Sequence, residues 1–159
     1  VILTVSLHGP EQTARLAEVL AAALVGGEFL AQEGDLGAGK TTFTRELTRA
    51  LGCSRLASSP TFALFCRYRG GRLPVLHGDF YRLSAPSELE ELGWEEMLHE
   101  YSQGLVVVEW ADRFPSLLPV DCLRMTWQFG EEEQDRKVRL QAGGSGSELL
   151  LAKVREVMS

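Results

Sequence analysis

The segment Gly34-Asp35-Leu36-Gly37-Ala38-Gly39-Lys40-Thr41 fits the pattern G-x-x-x-x-G-K-[ST], which chance supplies in about one chain in two hundred of this length. The residue types imply a chemistry. Glycines at 37 and 39 leave the backbone bare, so its N–H groups can approach phosphate oxygens, and a helix starting at this point adds the positive end of its dipole. Lys40 is placed to reach the β- and γ-phosphates of a nucleotide, and Thr41 to offer its hydroxyl to Mg²⁺. Asp35, Leu36, Ala38 and Thr42 complete the stretch expected to line those phosphates.

Such a loop needs a metal-side carboxylate at the end of an apolar strand beside the loop's own strand. Leu105-Val106-Val107-Val108-Glu109 is an uninterrupted apolar run that ends in an acid, so Glu109 is the expected partner of Thr41 at Mg²⁺. Asp79 closes the run Val75-Leu76-His77-Gly78 and either positions magnesium or the attacking water, or caps the following turn. His77 reads equally as a packed core histidine or as a proton carrier. Trp110 reads as a core residue ahead of one that stacks on a ligand. The chain has no asparagine, so the asparagine-containing motif that reads guanine in many GTPases is impossible and adenine is favoured.

The elements that must hold these groups are legible from periodicity. Val1–Leu7 alternates as a strand, and Glu11–Leu24 carries one apolar stripe before Gly26-Gly27. Glu28–Glu33 is a strand, and Phe43, Leu47, Ala50 and Leu51 recur at helical spacing up to Gly52. Phe62–Tyr68 and Leu73–Leu76 flank Arg69-Gly70-Gly71-Arg72 as a hairpin, so part of the sheet is expected to be antiparallel. Two short helices follow at Pro86–Leu92 and Trp94–Tyr101, and Leu105–Trp110 predicts a strand buried on both faces. Cys122–Phe129 and Lys137–Ala142 form a second hairpin around an acidic turn, and a last helix runs from Glu148 to Met158. The pattern is a single α/β domain over residues 1–159, with a mixed central sheet flanked by helices.

Composition narrows the functions. A net charge of -6 and a pI near 5.1 argue against broad binding to a phosphate backbone, so DNA is not an expected partner and any RNA contact is local or indirect. The three cysteines fit neither a disulfide framework nor a zinc spacing and read as buried free thiols in a reducing cytoplasm. Leu16–Val25 is too short to span a bilayer and no signal-peptide pattern is legible, so no membrane partner is expected.

Taken together, the glycine loop, Ser59-Pro60-Thr61-Phe62, His77-Gly78-Asp79-Phe80-Tyr81-Arg82-Leu83 and Val108-Glu109-Trp110 resemble the TsaE (YjeE) family, in order as well as spacing. The resemblance runs from about Glu11 through the terminal helix. It implies a small bacterial ATPase of the P-loop fold, needed for the N6-threonylcarbamoyladenosine (t6A) modification at position 37 of tRNA. By that resemblance Thr41 and Glu109 hold Mg²⁺, Asp79 lies near the γ-phosphate, and Ser59, Pro60 and Thr61 form a switch segment. Thr13 and Arg136 fall where the family places residues near the base or ribose. The resemblance also implies a partner, a complex of TsaB and TsaD, which carries out the transfer while this protein energises it. Trp94 departs from the family pattern at what reads as a surface-like position.

Three mechanisms share these residues. One is a Mg²⁺-dependent ATPase in which Lys40, Mg²⁺ and a carboxylate, Asp79 or Glu109, aid the attack of water, slow alone because no arginine is evidently poised at the phosphates unless Arg82 folds back, and quickened by its partner. Another is a small-molecule P-loop kinase, disfavoured because the segment after Asp79 offers one arginine against a run of acids. The third is a nucleotide-dependent binding module that does not hydrolyse.

Overall fold

Valines and leucines at Leu105–Glu109 and Val75–Asp79 form two strands in which every residue is buried, and the rest of the chain is arranged to cover them. In the computed structural model, which describes residues 1–57 and 64–158, the order is β1 (Ile2–His8), α1 (Pro10–Ala23), β2 (Glu28–Gly34), α2 (Lys40–Leu51), β3 (Phe65–Tyr68), β4 (Val75–Asp79), α3 (Pro86–Glu91), α4 (Trp94–Glu100), β5 (Leu105–Glu109), β6 (Leu123–Phe129), β7 (Asp135–Ala142) and α5 (Ser145–Met158).

The strands make one sheet in the order β1-β7-β6-β2-β5-β4-β3. Its centre is parallel, with β2 between β6 and β5 and β4 beyond β5. Both margins are antiparallel: β1 on β7 on β6 at one side, β3 on β4 at the other. The expected mixed sheet and both expected hairpins are therefore present.

Alternation along the central strands divides the core in two. Val107 of β5 and Leu30 of β2 face α1, α2 and α5, against Leu16, Phe43, Leu47 and Leu151. Val106, Val108, Phe29 and Ala31 face the opposite layer, made by α3, α4 and short single turns. Trp94 is the centre of that second layer rather than a surface-like residue. It is 5% exposed, its ring meets Phe29, Phe65 and Phe80, and its indole N–H donates to Leu117 O at 3.1 Å.

Among the boundaries that differ from the sequence reading, those of β4 and α5 have a clear physical reason. β4 continues through His77 and Gly78 to Asp79, because it is paired on both sides, with β5 and with β3. The last helix starts at Ser145, because the Asp121 carboxylate accepts from the N–H groups of Gly146 and Ser147 and caps its first turn. The thiols also differ from expectation: all three are free and Cys122 is buried, but Cys53 and Cys66 are only half-buried.

Candidate functional site

β2 ends at Gly34 and α2 begins at Lys40, so the glycine loop is the whole connection between a buried strand and a helix. The loop is backed by Trp127 of β6, which is 1% exposed. Gly39 has φ +122°, and a Cβ there would lie 3.0 Å from the Trp127 ring, so both conformation and space require glycine. A Cβ on Gly37 would meet only Phe129, at 3.9 Å, because it would project into the space beside the loop. That bare backbone is the cradle that a phosphate group needs.

A buried chain of hydrogen bonds ties loop, helix and sheet together. The Trp127 indole N–H donates to Gln32 Oε1 at 2.9 Å, Gln32 Nε2 donates to Thr44 Oγ1 at 2.6 Å, and Thr44 Oγ1 donates to the Lys40 carbonyl at 3.0 Å. None of these three side chains was singled out from sequence. The available signal was Gln32 itself, an amide at a position whose neighbour two residues earlier, Leu30, faces the core.

Lys40 is 5% exposed. Its ammonium donates to the carbonyls of Gly34 and Asp35, the latter at 3.0 Å, and sits 4.4 Å over the Trp110 ring. Burial lowers its pKa, opposed by the nearby carboxylates of Glu109, Asp112, Asp35 and Asp79. Thr41, on the first turn of α2, donates its hydroxyl to Glu109 Oε1 at 2.8 Å. The other oxygen of Glu109 lies 2.5 Å from His77 Nε2.

Asp79 and Glu109 are register partners at the ends of adjacent parallel strands, which places the two acids side by side. The Asp79 carboxylate accepts from the Tyr81 N–H at 2.9 Å, so it also caps the single turn Phe80–Arg82. The sequence left capping open as one role for Asp79, and the structure shows that cap. Burial pushes the Asp79 carboxyl above its usual range, and the neighbouring Glu109 charge pushes it further, against the Tyr81 hydrogen bond.

Leu36, Gly37, Gly39, Lys40, Thr41, Thr42, Asp79, Arg82, Glu109 and Trp110 all line one cavity of about 360 Å³, with Tyr81 at its rim. Trp110 is thus half-buried, packed against the second core layer on one side and a wall of the cavity on the other. It takes φ 56°, the one non-glycine with positive φ among the described residues, and that turn swings its ring over Lys40 and against Tyr81. Thr13 and Arg136 line a second cavity of about 310 Å³ on the other side of the loop, with Gly37, Gly39, Thr42 and Gln134. There the Arg136 guanidinium donates to the carbonyls of Glu133 and Asp135, both at 2.8 Å, and lies over Phe129. Ala38 is fully buried and its N–H donates to Asp35 O at 3.1 Å, so its side chain contributes to the core beneath the loop. Ser59, Pro60 and Thr61 lie outside the described residues.

The arrangement is a glycine cradle, a helix N-terminus, a cation, a hydroxyl–carboxylate pair and a second carboxylate, gathered at the C-terminal ends of the central parallel strands β2, β5 and β4. Comparison with known proteins shows the family. The family model for "Threonylcarbamoyl adenosine biosynthesis protein TsaE" matches residues 7–138. The chain belongs to the TsaE family. It is 39% identical over 141 residues to the tRNA threonylcarbamoyladenosine biosynthesis protein TsaE of Bacillus subtilis, covering 89% of this chain and 86% of that one. The TsaE protein of a Nostoc species is 36% identical over 79% of this chain and 78% of its own. The crystal structure of Bacillus subtilis YdiB superposes with a TM-score of 0.84 at 33% identity, covering 98% of this chain and 95% of that one. The TsaE fold seen here is accordingly a P-loop fold with a mixed sheet. Among its described residues no helix is long and apolar enough to cross a membrane.

Proposed function

We propose that this TsaE protein is a Mg²⁺-dependent ATPase that serves t6A modification of tRNA as the partner of a TsaB–TsaD complex. The observation that carries the reading is the 2.8 Å hydrogen bond from Thr41 to Glu109, which joins the first helical turn after the glycine loop to a strand-end acid.

That pair suits magnesium. Mg²⁺ takes oxygen ligands, commonly one or two from protein with phosphates and waters filling the rest. Thr41 Oγ1 and Glu109 Oε1 are two such oxygens, and no group of three His, Cys, Asp or Glu able to hold a metal exists among the described residues. Bound there, the ion would neutralise charge on the β- and γ-phosphates.

The chain's own groups have distinct tasks. The bare amides around Gly37 and Gly39 and the start of α2 hold phosphate oxygens. Lys40 leaves its loop carbonyls to reach the phosphates, a desolvated cation whose charge counts for more than it would in water. Asp79, beside Glu109, orients the attacking water. Thr13 and Arg136 border the space on the base and ribose side. Arg82 lines the phosphate cavity yet is exposed, so it contributes to hydrolysis only when ordered by a partner. An acidic chain with net charge -6 leaves the tRNA to that partner.

The test is phosphate release from Mg²⁺-ATP by the protein alone and then with TsaB and TsaD, with Lys40→Ala as the blank. A low rate that rises several-fold with the partners and disappears in the variant supports the proposal. ATP binding without release under either condition replaces it with the non-hydrolysing module, and release unaffected by the partners removes the gating.

A further inference from the structure

The roles assigned so far leave His77 without a task. It is 0% exposed on β4 and lies opposite Val107 of β5, two residues before the Asp79–Glu109 pair. Its Nε2 is 2.5 Å from Glu109 Oε2, while Thr41 Oγ1 donates to Glu109 Oε1 at 2.8 Å. An ionised carboxylate only accepts, so Nε2 carries the proton and Glu109 is gripped at both oxygens by two donors from two different elements. The ring's other nitrogen, Nδ1, is buried with no hydrogen-bond partner among the described residues. Val75 and Leu76 on the same strand show what packing alone selects at this depth, and an imidazole with one unsatisfied nitrogen is a costly alternative to them.

We propose that His77 is a positioning residue: its Nε2–H fixes the plane of the Glu109 carboxylate so that Oε1 and the Thr41 hydroxyl present a single edge to magnesium. The inference rests on the Mg²⁺-ATP reading of the site and adds to it the group that orients the metal-side acid. Outer hydrogen-bond partners of this kind govern metal affinity because a carboxylate free to rotate must lose that freedom when the ion binds.

The test compares His77→Gln, His77→Asn and His77→Met with the unaltered protein by calorimetric titration of a non-hydrolysable ATP analogue, in Mg²⁺ and in EDTA. Glutamine carries an amide N–H to about the place of Nε2, whereas asparagine has the same chemistry but stops short. His77→Gln is expected to keep the tightening by Mg²⁺ to within about threefold, and His77→Asn and His77→Met to lose roughly 10- to 100-fold of it. Affinity in EDTA should stay within about twofold throughout, because the phosphates still meet the same loop. Should His77→Met fail to fold, the two amides decide, since they differ only in reach. If asparagine keeps the Mg²⁺ tightening as well as glutamine does, His77 is a packing residue and the proposal is wrong. If the unaltered protein gains nothing from Mg²⁺, the metal reading of Thr41 and Glu109 falls first and takes the proposal with it.

Discussion

Replacing Gln32 by leucine tests whether the glycine loop is held from behind. Gln32 is 0% exposed and joins three elements: it accepts from Trp127 Nε1 at 2.9 Å and donates to Thr44 Oγ1 at 2.6 Å on α2. Leucine fills nearly the same volume but accepts nothing. Thr44 keeps its own bond to the Lys40 carbonyl, so the group left stranded is the Trp127 indole N–H, fully enclosed beneath Gly39. A buried donor without an acceptor costs about 1–3 kcal/mol, which the added apolar burial offsets only in part. At about 2–4 °C per kcal/mol for a chain of this size, Gln32→Leu should lower Tm by roughly 2–8 °C. Trp127→Phe removes the indole N–H, so Gln32→Leu in that background should cost less by about 1 kcal/mol. Urea unfolding of the four proteins in the cycle measures both quantities. Because Lys40, Thr41 and Thr44 share the first turns of α2, the single variant should also bind the ATP analogue several-fold more weakly. A cost below about 0.5 kcal/mol, or strict additivity with Trp127→Phe, would refute the claim that this amide sets the loop.

Two further outcomes follow from the same geometry. Asp79 is held above its ordinary pKa of 3.8 by burial and by the Glu109 charge, so the folded chain binds that proton more tightly than the unfolded chain does. Its ionised form therefore weighs against the fold at neutral pH, and the penalty fades as pH falls through the folded pKa towards 3.8. Asp79→Asn, which still accepts from Tyr81, should raise Tm at pH 7, lose that advantage in acid and abolish phosphate release; a Tm difference independent of pH would contradict it. Arg72 donates to the carbonyls of Leu24 and Ala21 at the end of α1, a helix with no basic residue in its last turn. Arg72→Ala should cost about 1–2 kcal/mol in urea unfolding, with Arg72→Lys recovering part of it.

How far the sequence carried is clear from particular residues. The places of Lys40, Thr41 and Glu109 were legible because they follow from residue type and local spacing: a glycine loop before a helix, and an acid after four apolar residues. That Glu109 meets Thr41 follows once β5 is known to lie beside β2, and an uninterrupted apolar strand points to such an interior place. Trp110 was read only in part and Trp94 was misassigned, for opposite reasons. A tryptophan after a buried strand reads as core until the chain's turn at φ 56° aims it at Lys40. A tryptophan after a glycine in an acidic helical stretch reads as surface until three phenylalanines from β2, β3 and the turn after β4 are brought around it. Both outcomes depend on neighbours distant in sequence, and no local pattern contains them. The Gln32–Trp127 bond spans 95 positions and was illegible for the same reason.

The site's residues thus fall into two groups with opposite effects on the fold. Lys40 and Asp79 face the cavity as desolvated charges, with pKa values moved towards the neutral form, so the folded state holds them at a cost. Neutralising either should leave the protein as stable or more so while removing function, the signature of groups kept for chemistry. Gln32, Trp127 and Thr44 stand behind the loop with their hydrogen bonds made, and their loss should lower stability and nucleotide affinity together. His77 shares features of both: it is as deeply buried as the second group, yet it carries a nitrogen without a hydrogen-bond partner among the described residues and hydrogen-bonds to Glu109, the acid proposed to face magnesium. Stability and Mg²⁺-dependent affinity, measured on the same set of variants, therefore sort each residue by the direction in which the two move. A packing histidine would move with Gln32, whereas one kept to orient Glu109 would lose Mg²⁺ tightening with little change in Tm.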